Sequence, residues 1–144
     1  MRSLVLPFAF FASLTLTAQS SLTLDHQAIE VDDLERSATF YMDILGLEEI
    51  EDGTGLDHIR WFSLGGDRSL HLIENDNRQP APSKGIHMAL RSNDLDATLD
   101  ALREKKIYFE NWPGEANQTN DRPDGIRQIY LQDPDGYWIE INGK

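Results

Sequence analysis

Cysteine is missing from this chain of 144 residues. Its absence excludes a disulfide framework, a thiolate nucleophile and any cysteine-ligated zinc or iron–sulfur site. Positive charge is scarce as well: 13 Lys and Arg stand against 25 Asp and Glu, a formal charge of −12 at pH 7. That balance argues against a nucleic-acid or anionic-membrane surface, because both need Lys/Arg patches. Histidine occurs only four times, so any metal chemistry has to be built from these imidazoles and from carboxylates. What is present suits a packed core rather than disorder, with 40% hydrophobic and 9% aromatic residues. The length is that of one ordinary domain, or of two small modules sharing a core.

The first twenty residues read as an export signal. Arg2 supplies a positive start, residues 4–16 (LVLPFAFFASLTL) are apolar, and Ala18 and Ser20 follow in the spacing of a signal-peptidase site. The apolar stretch is short against the roughly 20 residues of a membrane span, and Pro7 argues against a buried helix. A signal peptide over 1–20 is expected, cut between residues 18 and 21. Its removal takes Arg2 alone among the charged residues and leaves a net charge of −13. The mature protein is then expected to be periplasmic or secreted, with no membrane segment.

The mature part contains a duplication. A shift of 61 residues lays His26 on His87, Ala28 on Ala89, Asp33 on Asp94 and Leu34 on Leu95. Each stretch reads as an alternating strand, an Asp helix cap and an amphipathic helix. The first helix carries Leu34, Ala38, Tyr41, Ile44 and Leu45 at helical spacing, and the second carries Leu95, Leu99 and Leu102. Gly46 and the Lys105–Lys106 pair suit the helix ends. Three strands are expected after each helix, at about 47–51, 57–64 and 69–75 and at about 107–110, 126–132 and 136–142. Gly65-Gly66-Asp67 and Asp133-Pro134-Asp135-Gly136 are hairpin signals between the last two strands of each half. A second shift, of 69 residues, lays His71 on Glu140. The difference between the shifts places an insertion in 111–125, a stretch too polar and Gly/Pro-rich for regular structure. The expected fold is α+β, with module 1 at about 22–76, module 2 at about 85–143, and a Pro-rich linker over 76–84.

Both offsets fall on the same chemistry. They pair His26 with His87 and His71 with Glu140, so three of the four histidines and one strand carboxylate occupy equivalent positions. In two β-α-β-β-β halves related by a pseudo-two-fold, such side chains converge at the axis. Strand alternation aims them together: Ile86, Met88 and Leu90 form one face and leave His87 on the other, while Tyr137, Ile139 and Ile141 leave Trp138, Glu140 and Asn142 opposite. Likewise Leu70 and Leu72 oppose His71, and His26 shares a face with Ala28. A carboxylate on an interior face is costly unless a partner such as a cation meets it. His58 has no repeat partner and is expected to be structural or exposed.

The segments LDHQAIEVDDLERSATFYMDILGL, GIHMALRSNDLDATLDALREKKI and IYLQDPDGYWIEIN resemble the vicinal oxygen chelate (VOC) superfamily, the glyoxalase/bleomycin-resistance/dioxygenase proteins. The likeness spans nearly all of residues 22–143. It implies paired βαβββ modules forming a cup-shaped mixed sheet around one divalent metal, with ligands on the first and last strands of each module. Those positions hold His26, His71, His87 and Glu140. His26, His87 and Glu140 match the two-His-one-Glu core of fosfomycin-modifying and extradiol members. His71 departs from glyoxalase I, which typically has a glutamate there.

Three imidazoles and a carboxylate favour Zn, Ni, Co, Fe or Cu over Mg or Ca; the expected cofactor is one divalent ion, Zn, Ni, Co, Fe or Mn. Glu140, the one carboxylate of the set, is the expected proton shuttle. Trp61, Arg91, Tyr130 and Trp138 are expected to contact substrate, with Glu30 and Gln128 as further walls. Arg60, Arg91 or Arg127 are candidates to hold an anionic group, and Trp112 is a candidate cover in the 111–125 loop. The implied function is a metal-dependent lyase or isomerase of glyoxalase type acting on a small oxygenated molecule. The alternatives are a non-haem iron dioxygenase and a drug-binding protein of bleomycin-resistance type. The modules pair either within one chain or across a homodimer, the latter being the expected assembly.

Overall fold

The computed structural model describes residues 21–144, so the signal-peptide reading of residues 1–20 lies outside the described residues. The duplicated sequence folds twice in the same way. Strand β1 (His26–Val31) runs into Asp33, whose side chain accepts a hydrogen bond from the Arg36 N–H and caps helix α1 (Leu34–Asp43). Strand β5 (His87–Arg91) runs into Asp94, which accepts from the Ala97 N–H and caps α2 (Leu95–Glu104). The two caps share extended backbone with φ near −143°, and each contributes about 1 kcal/mol. Helix α1 buries Leu34, Ala38 and Tyr41 at the expected spacing, and also Ser37 and Phe40. Ile44 and Leu45 lie past its end, half-buried against the core. Helix α2 buries Leu95, Leu99 and Leu102.

The remaining strands are β2 (Glu49–Ile50), β3 (Ile59–Ser63) and β4 (Ser69–Glu74) in the first half. The second half has β6 (Asn120–Asp121), β7 (Arg127–Gln132) and β8 (Trp138–Gly143). They form two four-stranded mixed sheets, ordered β1-β4-β3-β2 and β5-β8-β7-β6, with β1 parallel to β4 and β5 parallel to β8. Leu70 and Leu72 with Phe62 form the buried face of the first sheet. Ile129, Leu131, Ile139 and Ile141 form that of the second, and all join one core with both helices. Each of β1 and β5 pairs with a single neighbour, so each leaves one edge unpaired by any named strand among the described residues.

Two expectations are corrected. Residues 107–110 do not form a strand; only Glu110 pairs there, through isolated bridges to Tyr130 and Ala116. Pro113 has no N–H to continue a ladder, and the chain turns back at Gly114, whose N–H donates to the Asn111 carbonyl. The outer strand of the second sheet is instead β6, within the 111–125 stretch expected to be irregular. Ile86, expected on the apolar face, precedes β5 and is 66% exposed; the alternation holds only from His87 onward.

The halves are joined through the β7–β8 turn. Gly136 adopts φ +90° there, which a side-chain-bearing residue resists. The Asp133 carboxylate accepts from the Asp135 and Tyr137 N–H groups and from the Tyr41 hydroxyl at 2.8 Å, tying the turn to α1. Burial raises the Asp133 pKa, against the lowering effect of these bonds. Asp135, with its side chain fully buried, accepts from Ser37 Oγ, the Asp32 N–H and Arg36, and faces Arg78 of the linker.

At the end of β8, Gly143 passes close to α2. A Cβ there meets Leu95 Cβ at 2.7 Å and the Ser92 carbonyl oxygen at 3.3 Å. Both neighbours are short and rigid, so Gly143→Ala is expected to cost about 1–3 kcal/mol through forced displacement of the α2 start. A lowered thermal midpoint with an unchanged cooperative transition checks this.

Candidate metal centre

The four expected ligands fall into two pairs, one on each sheet. On the first sheet, His71 lies cross-strand from Trp61 and Ala28, and its ring is sandwiched. Trp61 stacks on one side at 4.0 Å between centroids and His26 on the other at 4.3 Å, with planes within 7°. The His26 Nδ1 lies 2.6 Å from Asp25 Oδ2, so among the described residues it is the Nε2 that is left for a ligand. The His71 Nε2 lies 2.8 Å from Ser69 Oγ. Burial, reinforced by the neighbouring His26, lowers the His71 pKa, which favours the neutral, ligating form of the imidazole. The pair opens on a cavity of about 600 Å³ bounded also by Arg68, Thr54 and Glu51. The Trp61 Nε1 is buried with no hydrogen-bond partner among the described residues.

On the second sheet, Glu140 lies cross-strand from Tyr130 and Ala89, so the offset of 69 that relates His71 to Glu140 also relates Trp61 to Tyr130. Glu140 is 6% exposed. Its carboxylate accepts from the Tyr130 hydroxyl and from Asn142 Nδ2. Burial pushes its pKa up, but these bonds, Gln128 and the nearby His87 outweigh that and hold the carboxyl below its ordinary value. Tyr130 is shifted the other way by burial and by Glu140, so it keeps its proton and serves as a donor.

His87 completes this pair. Its Nδ1 lies 2.8 Å from the Lys84 carbonyl oxygen, an acceptor only, so Nδ1 carries the proton. In the neutral ring Nε2 then bears a lone pair, and it lies 3.2 Å from Glu140 Oε2. Two electron pairs face one another, an arrangement relieved by a cation between them or by a proton on Nε2. Ligands about 2.1 Å from one zinc-like ion sit about 3.0 Å apart at a right angle and about 3.4 Å apart at the tetrahedral angle. The observed separation lies between these values. A ligating histidine whose other nitrogen donates to a carbonyl is the usual pattern of metal sites.

The His87–Glu140 separation therefore has the spacing of two ligands of one ion, whereas the His26 and His71 rings lie stacked and parallel and do not aim their lone pairs at one point, and the two pairs are not gathered within one chain. Among the described residues, no group of three or more His, Asp or Glu side chains is placed to hold an ion together. His26 and His87 begin the two strands with unpaired edges, and a groove of about 1160 Å³ lined by Gln27 of β1 and by all of β5 runs beside them.

The other expected residues are divided. Trp61 and Tyr130 flank the ligand pairs, Trp138 lies near Tyr130 across Lys84, and Arg91 is exposed along the groove. Arg60 is ion-paired with Glu49 and Glu35, and Arg127 with Asp96 of α2, both engaged toward the helices. Glu30 accepts from Asn75. His58 is exposed. Trp112 lies over Tyr130 with ring centroids 5.5 Å apart. Asp25, Ser69 and Lys84, which hold the imidazoles, were not foreseen; the adjacency of Asp25 to His26 was the one available signal.

Comparison with known proteins agrees with this architecture. An uncharacterised Bacillus subtilis protein, YwbC, is 29% identical over 124 residues, covering 82% of this chain and 94% of its own. A Synechocystis protein named as a probable lactoylglutathione lyase is 29% identical over 125 residues, covering 81% and 91%. A Bacillus anthracis structure assigned to the glyoxalase family superposes with a TM-score of 0.71 at 24% identity, over 89% of this chain and 99% of that one. The oxidase ChaP-H1 superposes with a TM-score of 0.69 at 26% identity, over 86% and 97%. Residues 23–141 match the Glyoxalase/Bleomycin resistance protein/Dioxygenase superfamily, and with its two βαβββ modules the chain belongs to that family.

Proposed function

We propose that the protein is a divalent-metal-dependent lyase or isomerase of glyoxalase type acting on a small oxygenated molecule. In this reading a homodimer builds each centre from two chains: His26 and His71 come from one, and His87 and Glu140 from the other. The observation that carries it is the His87–Glu140 pair, with Nδ1 of His87 held by a carbonyl and Nε2 placed 3.2 Å from a buried carboxylate whose pKa is held below its ordinary value. The separation of the two pairs within one chain and the free edges of β1 and β5 support the two-chain assembly, because a two-fold axis brings the edges of two copies together. Residues 1–20 direct the protein out of the cytoplasm, where a site free of cysteine has no thiol to oxidise.

A divalent ion held by His26 and His71 of one chain and His87 and Glu140 of the other would supply Lewis acidity for an oxyanion on the substrate. The chain's own residues do the rest. Glu140 is kept ionised and oriented by Asn142 and Tyr130, and loss of one of these bonds during turnover would free a carboxylate oxygen to take a proton. Trp61 and Trp112 wall the two halves with aromatic surface that limits water.

Metal analysis tests the reading. The mature protein is expected to take up one Zn, Ni or Co ion per chain, and His87→Ala is expected to weaken that binding at least about tenfold. Equal metal content in wild type and His87→Ala would sink it. A second reading, a non-haem iron dioxygenase, is favoured by the likeness to the oxidase ChaP-H1; oxygen uptake by the iron-loaded protein, with none by the zinc form, selects it.

A further inference from the structure

Lys84 is the last residue of the linker, three positions before His87, and its two ends do different things. Its carbonyl accepts the His87 Nδ1 proton at 2.8 Å. Its ammonium reaches 26 to 28 residues along the chain, donating to Glu110 Oε1 at 2.7 Å and to the carbonyl oxygens of Asn111 at 2.6 Å and Trp112 at 3.2 Å. The rings of Tyr130, Trp138 and Trp112 surround it with centroids at 4.6, 5.0 and 5.7 Å. Three oxygen acceptors match its three N–H donors, so this ammonium is committed and is no anchor for a substrate anion.

The segment that Lys84 grips is also held from the other side. The Trp112 N–H donates to Asn120 Oδ1 at 2.8 Å, and Asn120 Nδ2 donates to Gln128 Oε1 at 3.0 Å. Gln128 Nε2 in turn donates to Asn142 Oδ1 at 3.4 Å, and Asn142 Nδ2 donates to Glu140 Oε1. Four donors thus run head to tail from the backbone over Tyr130 down to the Glu140 carboxylate. Glu140 faces His87, and His87 returns to Lys84. The circuit is closed.

We propose that Lys84 is a positioning residue that holds Trp112 over Tyr130 with its ammonium while fixing the aim of His87 with its carbonyl. Cover and ligand are then one mechanical unit, and loosening either loosens the other. This deepens the proposed metal site and rests on it for its consequence, but both effects are read in metal-free protein.

Lys84→Met keeps the side chain up to the position of Cε and removes its charge and donors. Amide exchange of the Trp112 N–H is expected to quicken at least about tenfold, and the His87 Nδ1–H, held by the residue-84 carbonyl, is expected to exchange with water faster as well. Either reading remaining at its wild-type value in a cooperatively folded Lys84→Met protein overturns the proposal. If that variant does not fold, Glu110→Gln keeps the ammonium in its box and weakens one partner; a smaller change in both readings is expected, and no change in either overturns the proposal. In Lys84→Ala, added propylammonium is expected to restore slow exchange at Trp112 whereas tetramethylammonium, which has no N–H, does not; equal action of the two overturns the clamp. Zinc binding by the wild type is measured separately, so a failure of the metal reading is distinguishable from a failure of this one.

Discussion

Two variants that each lack half of the ligand set should complement one another when mixed. His26→Ala/His71→Ala loses the pair on the first sheet, and His87→Ala/Glu140→Ala loses the pair on the second. Alone, neither is expected to bind metal tightly. When the two are unfolded together and refolded, half the dimers contain one chain of each kind. In such a dimer one centre receives both damaged halves and the other receives both intact ones. About a quarter of the wild-type metal capacity should therefore return, in a two-fold dimer with shared sites. Pairing within one chain gives no recovery at any mixing ratio. The contrast is between about a quarter and nothing, and co-purification of the untagged variant through an affinity tag on the other confirms that mixed dimers formed.

The second large effect is expected at Asp135, far in sequence from what it holds. Its buried carboxylate meets the Asp32 N–H at 2.9 Å, Arg36 at 2.8 Å, the Ser37 hydroxyl at 2.5 Å and Arg78 at 3.3 Å. These partners lie on the first module and the linker, so one side chain joins the β7–β8 turn to the start of α1. Removing one member of a buried ion pair costs about 3–5 kcal/mol, because the remaining groups lose their partner without regaining water. Arg36 is half-exposed and Arg78 keeps Asp32, which moves the expectation to the lower end. Asp135→Ala should thus lose about 3 kcal/mol, a large part of a total stability of about 5–15 kcal/mol. Ser37→Ala, which leaves the charges matched, should lose about 1 kcal/mol. Urea denaturation of the two variants checks the ranking; equal midpoints would contradict it.

Much of the architecture was legible without coordinates, for identifiable reasons. The offset of 61 aligned two Asp caps, and both caps are formed with the same backbone angles. Period-two alternation assigned His71, His87 and Glu140 to the face opposite the helices, since neighbouring strand residues cannot share a side. It misled where it was carried past a strand end, at Ile86, and where one apolar run at 107–110 had no ladder to join. Strand β6 was invisible because nothing in Asn120 and Asp121 is β-forming; pairing with β7 and the Asn120–Gln128 amide contact hold it there. The roles of Lys84, Asp25 and Ser69 were likewise hidden, since a hydrogen bond to an imidazole has no period.

The sequence by itself determined the repeat, the helix caps, the two strand faces and the identity of the four candidate ligands, because each of these follows from local spacing and side-chain type. Only the tertiary structure decided that the candidate ligands stand as two pairs on separate sheets, that Asp135 joins the modules, and that Lys84 links His87 to the Trp112 segment over Tyr130. Those are contacts between segments tens of residues apart, and the balance of burial, charge pairing and chain path that selects them acts in three dimensions rather than along the chain.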